Sequence, residues 1–136
     1  MTDLKTAMRI SAAGMRVQSE RLKVSAQNIA NVDSTGSAPG AEPYRRKTIT
    51  FENVLDRELG VETVRVQNIG EDQSPFKMMY DPSHVAADQN GYVLMPNVST
   101  QIETVDAKEA QRSYEANVSA IEVSKTMLRQ TLDMLR

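Results

Sequence analysis

The side chains able to do chemistry are few and poorly grouped. The one histidine, His84, follows Ser83 in Asp81-Pro82-Ser83-His84, a pairing that supports nucleophilic attack when the imidazole takes the serine proton. That chemistry needs both groups within hydrogen-bond reach, a third group orienting the ring, and donors for an oxyanion. Neighbouring residues in a proline-containing loop do not supply this, so His84 is expected at the surface. Asp33-Ser34-Thr35-Gly36 approximates the turn that presents one of two facing carboxylates for acid–base hydrolysis. It has one residue too many between Asp and Gly, and it follows a helix, so it reads as a helix-terminating turn. Asp88-Gln89-Asn90-Gly91 carries part of a calcium-loop pattern. Aligning Gly91 with the turn glycine places Ala86 at the first ligand position and Asn97 where a bidentate Glu belongs. No phosphate-cradling glycine loop is present. The chain has no Cys, which excludes disulfides, thiolate catalysis and zinc-thiolate sites. The expectation is a non-enzyme with no catalytic, metal or cofactor site.

Composition points away from other ligands too. At 136 residues the chain has one domain's worth of length. A net charge of −2 and a pI near 5.4 argue against nucleic acid as the main partner. The basic run Arg45-Arg46-Lys47 reads as a solvated strand edge. Only 4% of residues are aromatic, and 8 methionines partly replace the missing rings; methionine packs adaptably against varied partners. No stretch approaches the ~20 apolar residues of a membrane span, and residues 1–30 hold no uninterrupted apolar core of a cleaved leader.

The elements that would position these residues are mapped by the breakers. All 5 prolines lie between Pro39 and Pro96, and five of the 6 glycines lie between Gly36 and Gly91. Both flanks therefore read as long helices. Each carries an apolar residue every seventh position: Met8, Met15, Leu22 and Ile29 in the first, Ala107, Tyr114, Ile121, Leu128 and Leu135 in the second. Val118 and Leu132 stand beside the second repeat. Such a repeat buries a narrow seam against other helices, which fills a private core poorly and joins a multi-helix assembly well. Gly14 in mid-helix costs about 1 kcal/mol against Ala, so a packing reason is expected. The first helix should end at Asn31 or Val32. The second should begin with a capping box at Thr100-Gln101-Ile102-Glu103. Between them, Lys47–Phe51 and Val64–Val66 read as strands, and Asn90-Gly91 as a two-residue hairpin leading into Tyr92–Met95. The fold class is α+β: terminal helices packing as a coiled-coil-like pair or tube layer, with a small β-rich centre. The divisions are 1–35, 36–98 and 99–136.

Ser11-Ala-Ala-Gly14-Met15, Gln18, Arg21-Leu22 and Ala26-Gln-Asn28-Ile29-Ala30-Asn31 resemble the N-terminal signature of the bacterial flagellar basal-body rod protein family, which includes the rod and hook axial proteins. Tyr44-Arg45-Arg46-Lys47 with Phe51, Tyr80-Asp81-Pro82, Gly91-Tyr92-Val93, Pro96-Asn97-Val98 and Arg112–Asn117 extend the resemblance to its short, proximal-rod members. Ser83 and Val85 depart from the Gly or second Pro usual there. The resemblance implies a structural subunit exported through the flagellar type III apparatus without a cleaved leader and assembled in the periplasm, with no membrane insertion. Its terminal helices would form the inner tube of a hollow, torque-transmitting rod, with the β-rich part outside. The implied partners are copies of itself, the other rod proteins and the adaptor at the rod base. The assembly interface is expected at Met8, Met15, Leu22, Ile29, Tyr114, Val118, Ile121, Leu128, Leu132 and Leu135. The competing reading is a self-contained helical adaptor or chaperone-like binding module.

Overall fold

A computed structural model describes residues 2–136. The elements run α1 (Thr2–Ala30), β1 (Lys47–Asp56), β2 (Val61–Glu71), β3 (Lys77–Tyr80), β4 (Tyr92–Met95) and α2 (Thr100–Met134). The strands form two separate two-stranded sheets, β1-β2 and β3-β4. The expected α+β class, with long terminal helices and a small β centre, holds.

Local chemistry sets the element ends. At the close of α1, the Asn31 side-chain amide donates to the Gln27 carbonyl at 2.8 Å and accepts from the Ser34 hydroxyl at 3.0 Å. The last carbonyls of the helix are taken by backbone amides beyond it, Asn28 by Asn31 and Ile29 by Val32, each at 3.3 Å. The expected capping box at the start of α2 does not form. Thr100 is already helical, so the flanking position is Ser99, whose carbonyl accepts from the Glu103 amide at 3.0 Å. The Glu103 carboxylate instead turns inward to the Arg46 guanidinium. A charged partner in a buried setting is a stronger acceptor site than a solvated amide of the first turn.

Both β1 and β2 run longer than their sequence cores of alternation, and their turn carries no Asn-Gly pair. Asp56 makes it instead: its Oδ1 accepts from the amides of Glu58 (3.0 Å) and Leu59 (3.3 Å). The Gly60 amide closes onto the Asp56 carbonyl at 2.8 Å, with φ +66°, a conformation glycine adopts without cost. In the second sheet Lys77 pairs antiparallel with Met95 and Tyr80 with Tyr92. Asn90-Gly91 is therefore not a two-residue hairpin. It closes the longer connection 81–91, because Asp88 accepts the Asn90 and Tyr92 amides on its own carboxylate and so ends any strand before it. Gly91, at φ +86°, lies so close to Tyr80 that an added Cβ would sit 2.8 Å from its ring.

The chain divides into two compact units. One comprises 2–22, 50–68 and 108–136; the other comprises 23–49 and 69–107. In the first, α1 and α2 run antiparallel, with Gly14 against Asn117 and Arg21 bonded to Glu109 at 2.9 Å. A Cβ on Gly14 would lie 2.8 Å from Asn117 Nδ2, which supplies the expected packing reason for that glycine. The β1-β2 turn clips to α1 through Arg9, at 3.0 Å from Glu58 and 3.6 Å from Asp56. In the second unit, Val93, Pro96, Val98 and Val24 form the apolar centre, with Asn28 and Glu103 fully enclosed among the buried groups.

Candidate assembly surface

The two helices do not bury their apolar repeats most deeply. On α2 the buried positions are Glu103, Ala110 and Ser124, with half-buried Asn117 in the same seven-residue register. On α1 they are Ser11, Val17, Val24, Ser25 and Asn28. Small and polar side chains thus form the line of closest approach, which lets the backbones come near one another. The apolar repeat stands one turn further on and is half-covered: Met8, Met15, Leu22, Ile29, Tyr114, Val118, Ile121 and Leu128 are all intermediate in exposure. Leu132 is 43% exposed and Leu135 73%. The predicted interface residues therefore lie along the margins of the seam, and the last of them open to solvent.

A further strip on α2 was not read from the sequence. Ala116, Ala120, Val123, Met127 and Met134 are exposed at helical spacing, with Val123 at 59% and Met134 at 84%. The signal was present as an i, i+4, i+7, i+11 pattern, but the stronger seven-residue repeat masked it. In the β part, Met78, Tyr80 and Tyr92 are also exposed, the two rings meeting edge-on at 5.4 Å between centroids.

In the unit built from 23–49 and 69–107, a polar latch holds the linker to both helices. Asn28 is fully buried, and its amide binds one backbone residue at both ends: Nδ2 donates to the Lys47 carbonyl at 3.0 Å and Oδ1 accepts the Lys47 amide at 2.9 Å. Oδ1 also accepts from the Tyr44 hydroxyl at 2.8 Å. Asparagine here imitates a strand edge at the point where β1 begins. One step earlier, the Arg46 amide donates to Asn97 Oδ1 at 2.8 Å, and the Asp72 amide donates to the Arg46 carbonyl at 2.8 Å.

The Arg46 side chain sits among Glu103, Asp72 (3.5 Å) and Asp106 (3.6 Å). Burial pulls its pKa down, but the hydrogen bond and charge of Glu103, joined by the two aspartates, outweigh burial and hold it above the ordinary arginine value. Asp72 is held below the usual carboxylate range, first by the Ser74 hydroxyl and amide and then by Arg46. The Tyr44 phenol is pushed up by burial and by the charges of Glu103 and Glu71. Arg45 lies 4.2 Å from the Phe76 ring centre and donates to the Asp72 carbonyl at 3.0 Å. The expectation of a solvated basic strand edge is corrected: two of its three cations are built into the linker contacts, because carboxylates and an aromatic ring from distant segments converge there.

The candidate chemistry of the loops is structural in its contacts. His84 Nδ1 accepts the Ala86 amide at 3.0 Å, and Nε2 meets the Thr35 hydroxyl at 3.3 Å. The ring therefore ties the 81–87 loop to the turn after α1, and it is half-buried rather than at the surface. The Ser83 hydroxyl donates to Asp81 at 2.8 Å, which occupies it away from the imidazole. Among the described residues no cluster of three or more potential metal ligands is found. Among the described residues no helix is long and apolar enough to cross a membrane.

Residues 89–134 match the family described as flagellar basal body rod FlgEFG protein C-terminal. The chain is 48% identical to the flagellar basal-body rod protein FlgC of Agrobacterium fabrum, over 100% of this chain and 98% of that protein. It is 40% identical to the FlgC of Salmonella typhimurium over 92% of both chains. With the FlgC of Borreliella burgdorferi the identity is 38% over 98% of both. A polar-seamed helix pair with uncovered apolar margins, found in a chain that aligns end to end with these relatives, belongs to the FlgC family of flagellar basal-body rod proteins, structural subunits of the rod.

Proposed function

We propose that this chain enters the basal-body rod by polymerising through its terminal helices. In this reading, segments 1–35 and 99–136 form the inner tube layer and 36–98 lies outside it. The shaft so formed is hollow and transmits torque, and the role of the chain in it is structural rather than catalytic. The observation that carries the proposal is the half-covered apolar repeat running into an open α2 end. Leu132, Met134 and Leu135 gain nothing from exposure and gain free energy when a neighbour covers them. Such an assembly is heterologous and non-closing, each subunit offering one face and accepting another. Its partners are copies of itself, the other rod proteins and the adaptor at the rod base. The route in this reading is the flagellar type III apparatus into the periplasm. The pairing of α1 with α2 inside the chain is compatible with a self-contained adaptor, but family membership gives that alternative no support.

The test uses substitutions at two depths. Leu22→Asp and Leu128→Asp place a carboxylate on the half-covered margin, and Leu132→Asp places one on the open part. All three should abolish incorporation into basal bodies. Leu132→Asp, at an exposed position, should leave the thermal unfolding of the monomer nearly unchanged. Normal incorporation of all three variants would remove the interface assignment.

A further inference from the structure

An asparagine side-chain amide and the next main-chain nitrogen can close to a five-membered ring, more slowly as the residue after the asparagine grows bulkier. The chain has seven asparagines, and six of them, Asn28, Asn31, Asn53, Asn68, Asn97 and Asn117, precede Val or Ile. The branched Cβ of those residues crowds the main-chain nitrogen. Asn90 alone precedes Gly, and no Asp-Gly pair is present to react in the same way.

The fold commits the chain to this pair. Gly91 has φ +86°, and an added Cβ would lie 2.8 Å from the Tyr80 ring and 3.0 Å from Pro82. The connection into β4 therefore requires glycine at 91. Asn90 beside it is exposed, so water reaches its side-chain amide.

Asp88 holds the pair back. Its carboxylate accepts the Asn90 amide at 2.8 Å and the Tyr92 amide at 2.9 Å. Its carbonyl accepts from the Gly91 amide at 3.0 Å, and that nitrogen is the one that would attack. Attack needs this bond released, so the reaction starts from a locally opened turn.

We propose that Asn90 is a site of spontaneous deamidation, with Asp88 as the brake that sets its rate. The Gly91 nitrogen gives its proton to solvent base and attacks Asn90 Cγ. The N–Cγ bond forms, the Cγ–Nδ2 bond breaks, and Nδ2 takes a proton from solvent and leaves as ammonia. Water then opens the succinimide. Opening at the new N–Cγ bond gives aspartate; opening at the original peptide bond gives isoaspartate, whose main chain runs through Cγ and is one atom longer. No group is oxidised or reduced. The added atom falls between Asp88 and Tyr92, so the Tyr92 amide loses its place on the Asp88 carboxylate. The Gly91 carbonyl, which accepts the Asp81 amide at 2.9 Å, moves with it. The Tyr80–Tyr92 end of the β3-β4 pairing then loosens.

The test is peptide mass mapping of the full chain in mildly alkaline buffer, native and unfolded in urea. Deamidation should be confined to Asn90, yield both aspartate and isoaspartate, and run about tenfold slower in the native chain than in urea. Asp88→Ala, checked as folded by circular dichroism, should raise the native rate about tenfold, and Asn90→Ser should abolish the reaction. In the isoaspartate form, amide exchange at Tyr92 should quicken while exchange at 110–124 stays unchanged. An Asn90 still intact in the native chain once the unfolded chain has fully reacted would overturn the site. An Asp88→Ala rate equal to the native one would overturn the brake. If Asp88→Ala does not fold, equal rates in the native and unfolded chains would overturn it instead.

Discussion

The two compact units solve opposite problems. In the unit built from 23–49 and 69–107, the enclosed side chains Glu103 and Asn28 are polar and each has its partners. In the unit built from 2–22, 50–68 and 108–136, the helix pair closes on small residues and leaves Val123, Met127, Met134 and Leu135 uncovered. A satisfied buried polar network fixes one geometry and is costly to break. An uncovered apolar helix end is unfinished, and its stability awaits a neighbour. The first kind of region holds the linker in place, and the proposed joining through the helices would use the second.

Breaking the latch should have the largest effect. Arg46→Met leaves the Glu103 carboxylate, 1% exposed, without its cation, and should cost about 3–5 kcal/mol in urea unfolding. The double variant Arg46→Met/Glu103→Leu removes the buried charge as well and should regain most of that loss. A double variant no better than the single would mean that Arg46 acts through its other carboxylates, Asp72 and Asp106. Asn28→Ala comes next. It orphans both backbone groups of Lys47 and the Tyr44 hydroxyl, at about 1–3 kcal/mol, and should raise amide exchange at 44–49 before it affects 110–124.

The helix pair gives a smaller and more discriminating effect. Gly14→Ala should gain about 1 kcal/mol in helix propensity, but its Cβ meets the whole Asn117 amide within 3.2 Å. In the natural sequence the gain should vanish or reverse. In an Asn117→Ala background it should appear in full, and the cycle measures the coupling. Equal effects of Gly14→Ala in both backgrounds would show that the two helices do not pair at this register.

The smallest effect is a pH window. Asp72 is held below the ordinary carboxylate value of 3.8, so its contribution is complete above that value and is lost as pH falls through the depressed one. The Tyr44 phenol is raised above its ordinary 10.0, so its contribution is complete below that value and is lost as pH rises through the raised one. Arg46, raised above the ordinary arginine value, adds no slope in the accessible range. Thermal unfolding should therefore show a plateau with two shoulders. Asp72→Asn should flatten the acid shoulder and Tyr44→Phe the alkaline one; an unchanged curve in either variant removes that group from the account.

The long-range half of this design was the least legible in the sequence. The helices were readable because glycine and proline are excluded from them and a seven-residue repeat runs through each. The end of α1 was readable for the same reason. The turn at Asp56–Gly60 was not, since its signal is an aspartate capping amides rather than an Asn-Gly pair. The capping box at Thr100 was locally sound, but Glu103 has a partner 57 residues away that no local pattern discloses. For the same reason Arg45 and Arg46 looked solvated. A glycine in mid-helix calls for a reason, and Asn117 on the other helix supplies it for Gly14. The residues expected at the interface form a repeat in the sequence; that the polar residues beside them make the closer seam is not legible there, because periodicity reports spacing and says nothing about which of two parallel stripes faces inward.

The most direct test of the central contrast is amide hydrogen exchange on the monomer at low micromolar concentration, resolved along the chain. The account predicts strong protection at 24–28 and 93–106, weaker protection through 110–124, and fast exchange from about Met127 to the end of α2, with that last segment becoming protected in basal bodies. Uniformly slow exchange through Met134 in a species shown to be monomeric would contradict it, because the helix end would then already be complete without a neighbour.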